Sequence, residues 1–308
     1  MDCKCNLIID SCCDLPHEIV EREGIYLVEF PYSDEQGEYR DDLYRSNTAQ
    51  DFFEGMRQGN QPQTAQVPMP DIKEAYQWAK DQGKPAVYLS FSSGLSGTFD
   101  TAALLLEQMK QEDPDFELYL VDTKLASVAE ALIVFEAFRQ RERGLTAREL
   151  ATWAEEARYF VDAQFMVDDL EALRRGGRIP SSVAYAGSKL DVKPLLGIDP
   201  EGKLTLTGVS RGRKKGIKAL VDYFAKRRNS DKPGQDVVIG NADCVKDAER
   251  LVELLKKNDE SLMCIESSIG PVIGSHVGPG MLAVVFWGPD KRQDLSVADR
   301  IASKVRGK

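Results

Sequence analysis

Ser92-Ser93-Gly94-Leu95-Ser96-Gly97-Thr98 is the stretch of this chain most suited to holding an anion. It packs four hydroxyl residues and two glycines into seven positions. An apolar, β-prone run from Pro85 to Phe91 precedes it, and Thr98 to Lys110 carries Ala102, Leu105, Leu106 and Met109 at helical spacing. The segment therefore sits where a strand turns into a helix. A helix N-terminus offers unpaired N–H groups and the positive end of the helix dipole. Glycines there let an anion approach the backbone, and hydroxyls add donors. An N-cap and a tight turn would account for one serine and one glycine; the surplus points to a seat for a carboxylate or phosphate.

Gly270-Pro271-Val272-Ile273-Gly274-Ser275-His276-Val277-Gly278-Pro279-Gly280 is the second candidate, read here as a rigid loop at a sheet edge. It holds one of the chain's two histidines, and an imidazole so placed can donate to an anion or move a proton. His17, between Pro16 and Glu18, reads as a surface residue. In Asp10-Ser11-Cys12-Cys13-Asp14-Leu15, Asp10 and Ser11 could face a ligand, and Asp14 reads as an N-cap. Gln63-Thr64-Ala65-Gln66-Val67-Pro68 reads only as a polar pre-proline loop or edge strand. Phosphate-binding P-loop and dinucleotide fingerprints are absent. Gly94-Leu95-Ser96-Gly97-Thr98 approaches a nucleophile elbow with its last glycine one place early. Ser96, Asp243 and His276 stand in the chain order of an α/β-hydrolase triad, so a serine hydrolase or acyltransferase using Ser96 and His276 is the alternative reading.

Strand-like and helix-like runs alternate to position these residues. Strands are expected at Asn6–Asp10, Ile25–Phe30, Pro85–Phe91 and Phe116–Asp122. Helices are expected over 16–22, 48–57, 70–80, 98–110 and 126–143. That order implies a parallel sheet whose strand ends gather at one edge, where open α/β sheets bind ligands. From about residue 146 the texture changes. A charged helix over 146–158 leads to a strand over 159–167 and a short helix over 168–175 that stops at Gly176-Gly177. Asp199-Pro200-Glu201-Gly202 joins Val192–Ile198 to Lys203–Thr207 as a hairpin. A basic helix over 213–228, strands at 237–239, 263–265 and 281–287, and a helix over 243–256 complete a mixed sheet. The expected fold is α/β in two domains: an N-terminal parallel-sheet domain, 1–155, and a C-terminal mixed-sheet domain, 156–308. Part of 60–82 can pack with the second domain.

At 308 residues the chain is long enough for about two domains. Its hydrophobic content of 42% and charged content of 29% are those of a globular protein. A net charge of −10 argues against nucleic acid or an anionic membrane as the main partner. No apolar run approaches the roughly 20 residues of a membrane span, and the N-terminus lacks a signal peptide's pattern, so a cytoplasmic location is expected. The six cysteines lack paired zinc-ligand spacing and read as free thiols, with no metal.

Together, Asp10-Ser11-x-x-Asp14-Leu15, Thr64-x-Gln66, the Ser92–Thr98 segment, Leu173-Arg174-Arg175-Gly176-Gly177-Arg178-Ile179 and the Gly270–Gly280 segment resemble the DegV family, in its order and approximate spacing over nearly the whole chain. Two departures stand out. Thr64-Ala65-Gln66-Val67-Pro68 replaces the family's usual Thr-Ser-Gln-Pro-Ser, and Cys12 and Cys13 replace Ser or Thr. The resemblance implies a two-domain, non-catalytic carrier that needs no cofactor. It would bind one long-chain fatty acid, such as palmitate or oleate, between the two domains and present it to a fatty acid kinase. It also implies that Thr64, Ser96 and His276, with Ser93 and Gly97, hold the carboxylate, and that Arg178 and Arg211 or Arg213 serve kinase docking. Burying a 16-carbon chain offers roughly 10 kcal/mol gross at about 0.8 kcal/mol per methylene. Each charged hydrogen bond adds roughly 1.5–3 kcal/mol, so the tail sets affinity and the head group sets orientation.

Overall fold

The computed structural model describes residues 3–22, 24–180, 191–229 and 235–294. The chain opens with β1 (Asn6–Asp10), α1 (His17–Val20) and β2 (Ile25–Val28), the two strands pairing in parallel. A hairpin of β3 (Pro31–Asp34) and β4 (Gly37–Arg40) follows. Next comes α2 (Ala49–Arg57), capped by the Thr48 hydroxyl, which accepts from the Asp51 amide at 3.1 Å. The two-residue β5 (Gln63–Thr64) joins β3, making a small antiparallel sheet that sequence patterning does not predict. With α3 (Met69–Asp81), β6 (Ala86–Ser90), α4 (Thr98–Glu112) and β7 (Leu118–Asp122), the parallel sheet is complete in the order β2-β1-β6-β7. Central β1 and β6 are buried at every position, which is why both read as nearly unbroken apolar runs.

Helix α5 (Val128–Glu142) connects this layer to the rest of the protein. Every residue over 128–134 is buried, as in a helix covered on all sides. It packs against the 3₁₀ turn after β1 and against strands of the second sheet. Then come α6 (Ala147–Ala157), started by a Thr146–Glu149 capping box, β8 (Val161–Met166) and α7 (Glu171–Arg175). The hairpin β9 (Val192–Ile198) and β10 (Leu204–Arg211) turns at Asp199, whose carboxylate accepts from the Glu201 and Lys203 amides at 2.9 Å. It is followed by α8 (Arg213–Arg227), β11 (Asp236–Asn241), α9 (Val245–Asn258), β12 (Met263–Ser268), α10 (Pro271–Val277) and β13 (Leu282–Trp287). The second sheet runs β10-β9-β8-β13-β11-β12, antiparallel except for the parallel β11–β12 pair. Its outer face is covered by α8 and α9 through Leu220, Phe224, Leu251 and Leu255. Its inner face, with Ala163, Phe165, Ala283 and Val285, joins the core of the N-terminal half. The fold is thus α/β, with an N-terminal parallel sheet and a C-terminal mixed sheet.

Two local expectations are corrected. The Gly270–Gly280 segment is no loop: α10 occupies most of it, with Pro271 at the first helical position, where its missing N–H is no loss. Asp14 does not cap α1, which begins after Pro16; it ends the Ser11–Cys13 turn at φ +52°, and its carboxyl reaches other elements. Among the described residues no helix is long and apolar enough to cross a membrane, and no three His, Cys, Asp or Glu side chains are grouped to hold a metal ion. All six cysteines are free.

Candidate functional site

Between the two sheets lies a cavity whose free space, including the solvent at its mouth, is about 760 Å³. Its floor is a row across four strands: Val285 lies opposite Ala163, which neighbours Ile198, and Ile198 lies opposite Leu204. At about 4.8 Å per strand the row spans roughly 14 Å. Phe30, Phe91, Leu95 and the small Ala126 and Ala129 form the facing wall from the N-terminal half. Alanines at 163, 283, 126 and 129 leave the space that larger residues would fill.

The polar groups of the lining are few. Gln164 is taken by Thr207, to which its amide donates at 3.1 Å, and the Ser127 hydroxyl donates to Asp14. Thr64, Ser96, His276 and Arg178 remain. Thr64 on β5 and His276 in the last turn of α10 meet across the two halves, with Oγ1 and Nε2 2.8 Å apart. His276 Nδ1 is buried without a partner. Burial, then the positive charges of Arg178 and Arg175, depress the imidazole to about 4, so it is neutral at physiological pH. The terminal glycine of α7 makes room for this ring: a Cβ at Gly176 would lie 2.1 Å from Nδ1. Arg178 is half-buried, with Nε donating to the Leu95 carbonyl at 3.3 Å and Nη1 donating to the Gly176 carbonyl. Among the described residues no carboxylate pairs with it. Burial pulls its pKa down, the signature of a cation short of a counter-charge.

The Ser92–Thr98 segment is less open than an anion nest. Its amides at Ser92, Ser93, Gly94, Leu95 and Ser96 all donate within the protein. Ser96 accepts from the Thr98 amide at 3.2 Å and reaches the cavity, while Thr98 Oγ1 accepts from the Val67 amide. A Cβ at Gly97 would fall 2.5 Å from Oε1 of the exposed Gln66 side chain, which can swing aside. Ser93 stands apart from the cavity lining and accepts from Lys124 Nζ at 2.7 Å. Ser92 and Gly94 seat the β9–β10 hairpin: Ser92 donates to the Gly202 carbonyl at 2.8 Å, and a Cβ at Gly94 would meet the same oxygen. Arg211 is exposed at the end of β10, whereas Arg213 is held by Asp168 and Asp247. The hydrolase triad is not assembled. His276 bonds Thr64, its Nδ1 has no carboxylate, and Asp243 is paired with Arg57 at 2.6 Å. Sequence reasoning missed Arg178 as a wall residue and the alternating small residues of β8 and β13; the latter were readable as a period-two Ala-x-Phe and Ala-x-Val pattern.

Comparison with known proteins agrees with the fold. The model of the DegV family of uncharacterised proteins matches residues 4–288. A DegV domain-containing protein of Clostridium perfringens is 35% identical over 285 residues, covering 92% of this chain and 98% of the relative. A solved Thermotoga maritima protein, reported to reveal a fatty acid binding function, is 28% identical with a TM-score of 0.77, covering 94% of this chain and all of that one. A Thermus thermophilus DegV family protein, solved for its fatty acid binding, is 27% identical with a TM-score of 0.80 and covers 93% of this chain and 100% of its own. On the family match over nearly its whole length and on these relatives, the chain belongs to the DegV family.

Proposed function

We propose that this protein is a cytoplasmic carrier that binds one long-chain fatty acid, such as palmitate or oleate, between its domains and presents it to a fatty acid kinase. The carboxylate is held by Thr64, Ser96, His276 and Arg178, and the acyl chain lies along the Val285–Ala163–Ile198–Leu204 row. The observation that carries this reading is Arg178: a half-buried guanidinium, without a carboxylate partner among the described residues, in the wall of a largely apolar cavity. Such a site calls for a ligand with one anionic end and a long apolar body. The neutral imidazole of His276 can donate to the carboxylate without a proton being transferred, which suits binding rather than catalysis. The fatty acid binding of the Thermotoga and Thermus relatives supports the same ligand class. Kinase docking rests on exposed Arg211, because Arg213 is already bound by two aspartates. The domain boundary at 155/156 belongs to this reading, with α5 shared at the junction.

Exhaustively delipidated protein titrated with palmitate or oleate tests it. Saturable one-to-one binding with a Kd tighter than about 10 µM is expected, since the tail offers roughly 10 kcal/mol gross, to which the head-group hydrogen bonds add, against the about 7 kcal/mol that this Kd represents. No saturable binding, or ester hydrolysis that vanishes in Ser96→Ala, overturns the reading.

A further inference from the structure

Asp14 and Asp41, both from the N-terminal half, flank Gly270, the residue that leads into α10. A Cβ at Gly270 would lie 2.6 Å from Asp14 Oδ1 and 3.0 Å from Asp41 Oδ2. Both acids are buried, at 2% and 0% exposure. The Gly270 amide donates to Asp14 Oδ1 at 3.0 Å, and the Ser127 hydroxyl donates to its other oxygen. The Ser267 hydroxyl donates to the Asp14 carbonyl. Asp41 Oδ1 accepts from the Leu43 amide at 3.2 Å, and the Val272 amide in the first turn of α10 also acts on the Asp41 carboxyl.

What is anchored at Gly270 is felt at His276. Six residues at about 1.5 Å rise separate them by roughly 9 Å along one helix. That helix is stiff: the Ser275 hydroxyl donates to the Pro271 carbonyl, and Gly274 is wedged so that a Cβ would meet Phe53 and Phe52 at 2.8–2.9 Å. A displacement at its start is therefore carried to the imidazole. Around the acid pair stand Asp10, Cys12 and Cys13 from β1 and its following turn, Glu29, Tyr32, Asp42 and Tyr44 from the segment after β2, and Glu130 from α5. All are acids, thiols or phenols, and no cation is among the groups that act on either aspartate.

We propose that Asp14 and Asp41 are positioning residues for the head-group site: as an uncharged pair they grip the start of α10 from the opposite domain and so hold His276 against Thr64. Ionising the pair places unbalanced charge in a buried junction, loosens the start of α10 and draws the imidazole off Thr64. Burial pushes Asp41 up to about 8, with Asp42 and Glu29 adding to the shift, so the device acts just above neutrality. The consequence for ligand affinity rests on the fatty acid reading above; the consequence for His276 does not.

Histidine-labelled protein observed by NMR tests it, since the chain has two histidines and His17→Gln assigns them. His276 resonances should hold steady through neutrality and move in one step near pH 8, far from the imidazole's own ionisation near 4. Asp41→Asn should abolish the step while keeping the neutral-pH resonances. Asp42→Asn should keep the step but shift it to lower pH, a change that a merely structural role would not produce. Palmitate affinity should fall about tenfold across the same step in the wild type and stay level in Asp41→Asn. No step in the wild type, a measurement that needs no variant, overturns the proposal, as does a step that persists in Asp41→Asn. A step without palmitate binding at any pH supports the positioning and overturns the fatty acid reading instead.

Discussion

Gly176→Ala tests the head-group geometry with one methyl group. Gly176 has φ −71°, which alanine adopts freely, so the backbone is not strained. The new Cβ would lie 2.1 Å from His276 Nδ1 and 2.7 Å from Cε1. Restoring ordinary contact at about 3.4 Å requires the ring to retreat by about 1.3 Å. A displacement of that size, in whichever direction the ring moves, disrupts the 2.8 Å Thr64–His276 geometry. Loss of a charged hydrogen bond to the ligand costs roughly 1.5–3 kcal/mol, a Kd weakened by about 10- to 150-fold, while the tail contribution remains. Overpacking of about 1–3 kcal/mol is small beside the about 5–15 kcal/mol by which a typical domain is stable, so the variant should stay folded. Gly177→Ala is the control: its Cβ would meet nothing within 4 Å, but φ +71° makes it strained. Calorimetric titration with palmitate should show weakened binding only in Gly176→Ala, and a melting scan should show destabilisation in Gly177→Ala. Wild-type affinity in Gly176→Ala would refute the reasoning that His276 contributes to the site.

Two further outcomes are expected. Arg178→Met should abolish the preference for palmitate over the uncharged hexadecanol, measured by competition, because it removes the charge but keeps the bulk of the wall; equal discrimination in wild type and variant would refute a carboxylate role for Arg178. Asp10, raised by burial to about 7, and Asp41, raised to about 8, hold protons in the folded state that the unfolded chain releases near its ordinary carboxylate range. Their contribution to stability is therefore full below about pH 4 and is lost as pH rises through 7 and 8, so urea midpoints should fall over that window and fall less in Asp10→Asn.

Much of the fold was legible because local chemistry and tertiary environment agree. The unbroken apolar runs of β1 and β6, the Thr146–Glu149 cap of α6 and the Asp199–Gly202 turn each carry their own signal in a few residues. The Ser92–Thr98 turn ahead of α4 was legible for the same reason. The meaning of the glycines was not. Gly176, Gly270 and Gly274 all read as loop formers, yet each has an ordinary φ, and a Cβ at each would meet a packed side chain: His276, Asp14 and the Phe52–Phe53 pair. Those neighbours come from distant parts of the chain, so spacing carries no trace of them. The same holds for the site itself. Thr64 and His276 are 212 positions apart, and they meet because a two-residue strand and a seven-residue helix are pressed together by the packing of the two halves. Residue types named the chemistry of this protein; only the packing of the two sheets decided which of those residues face one cavity, since burial and close approach depend on chain segments that local sequence does not encode.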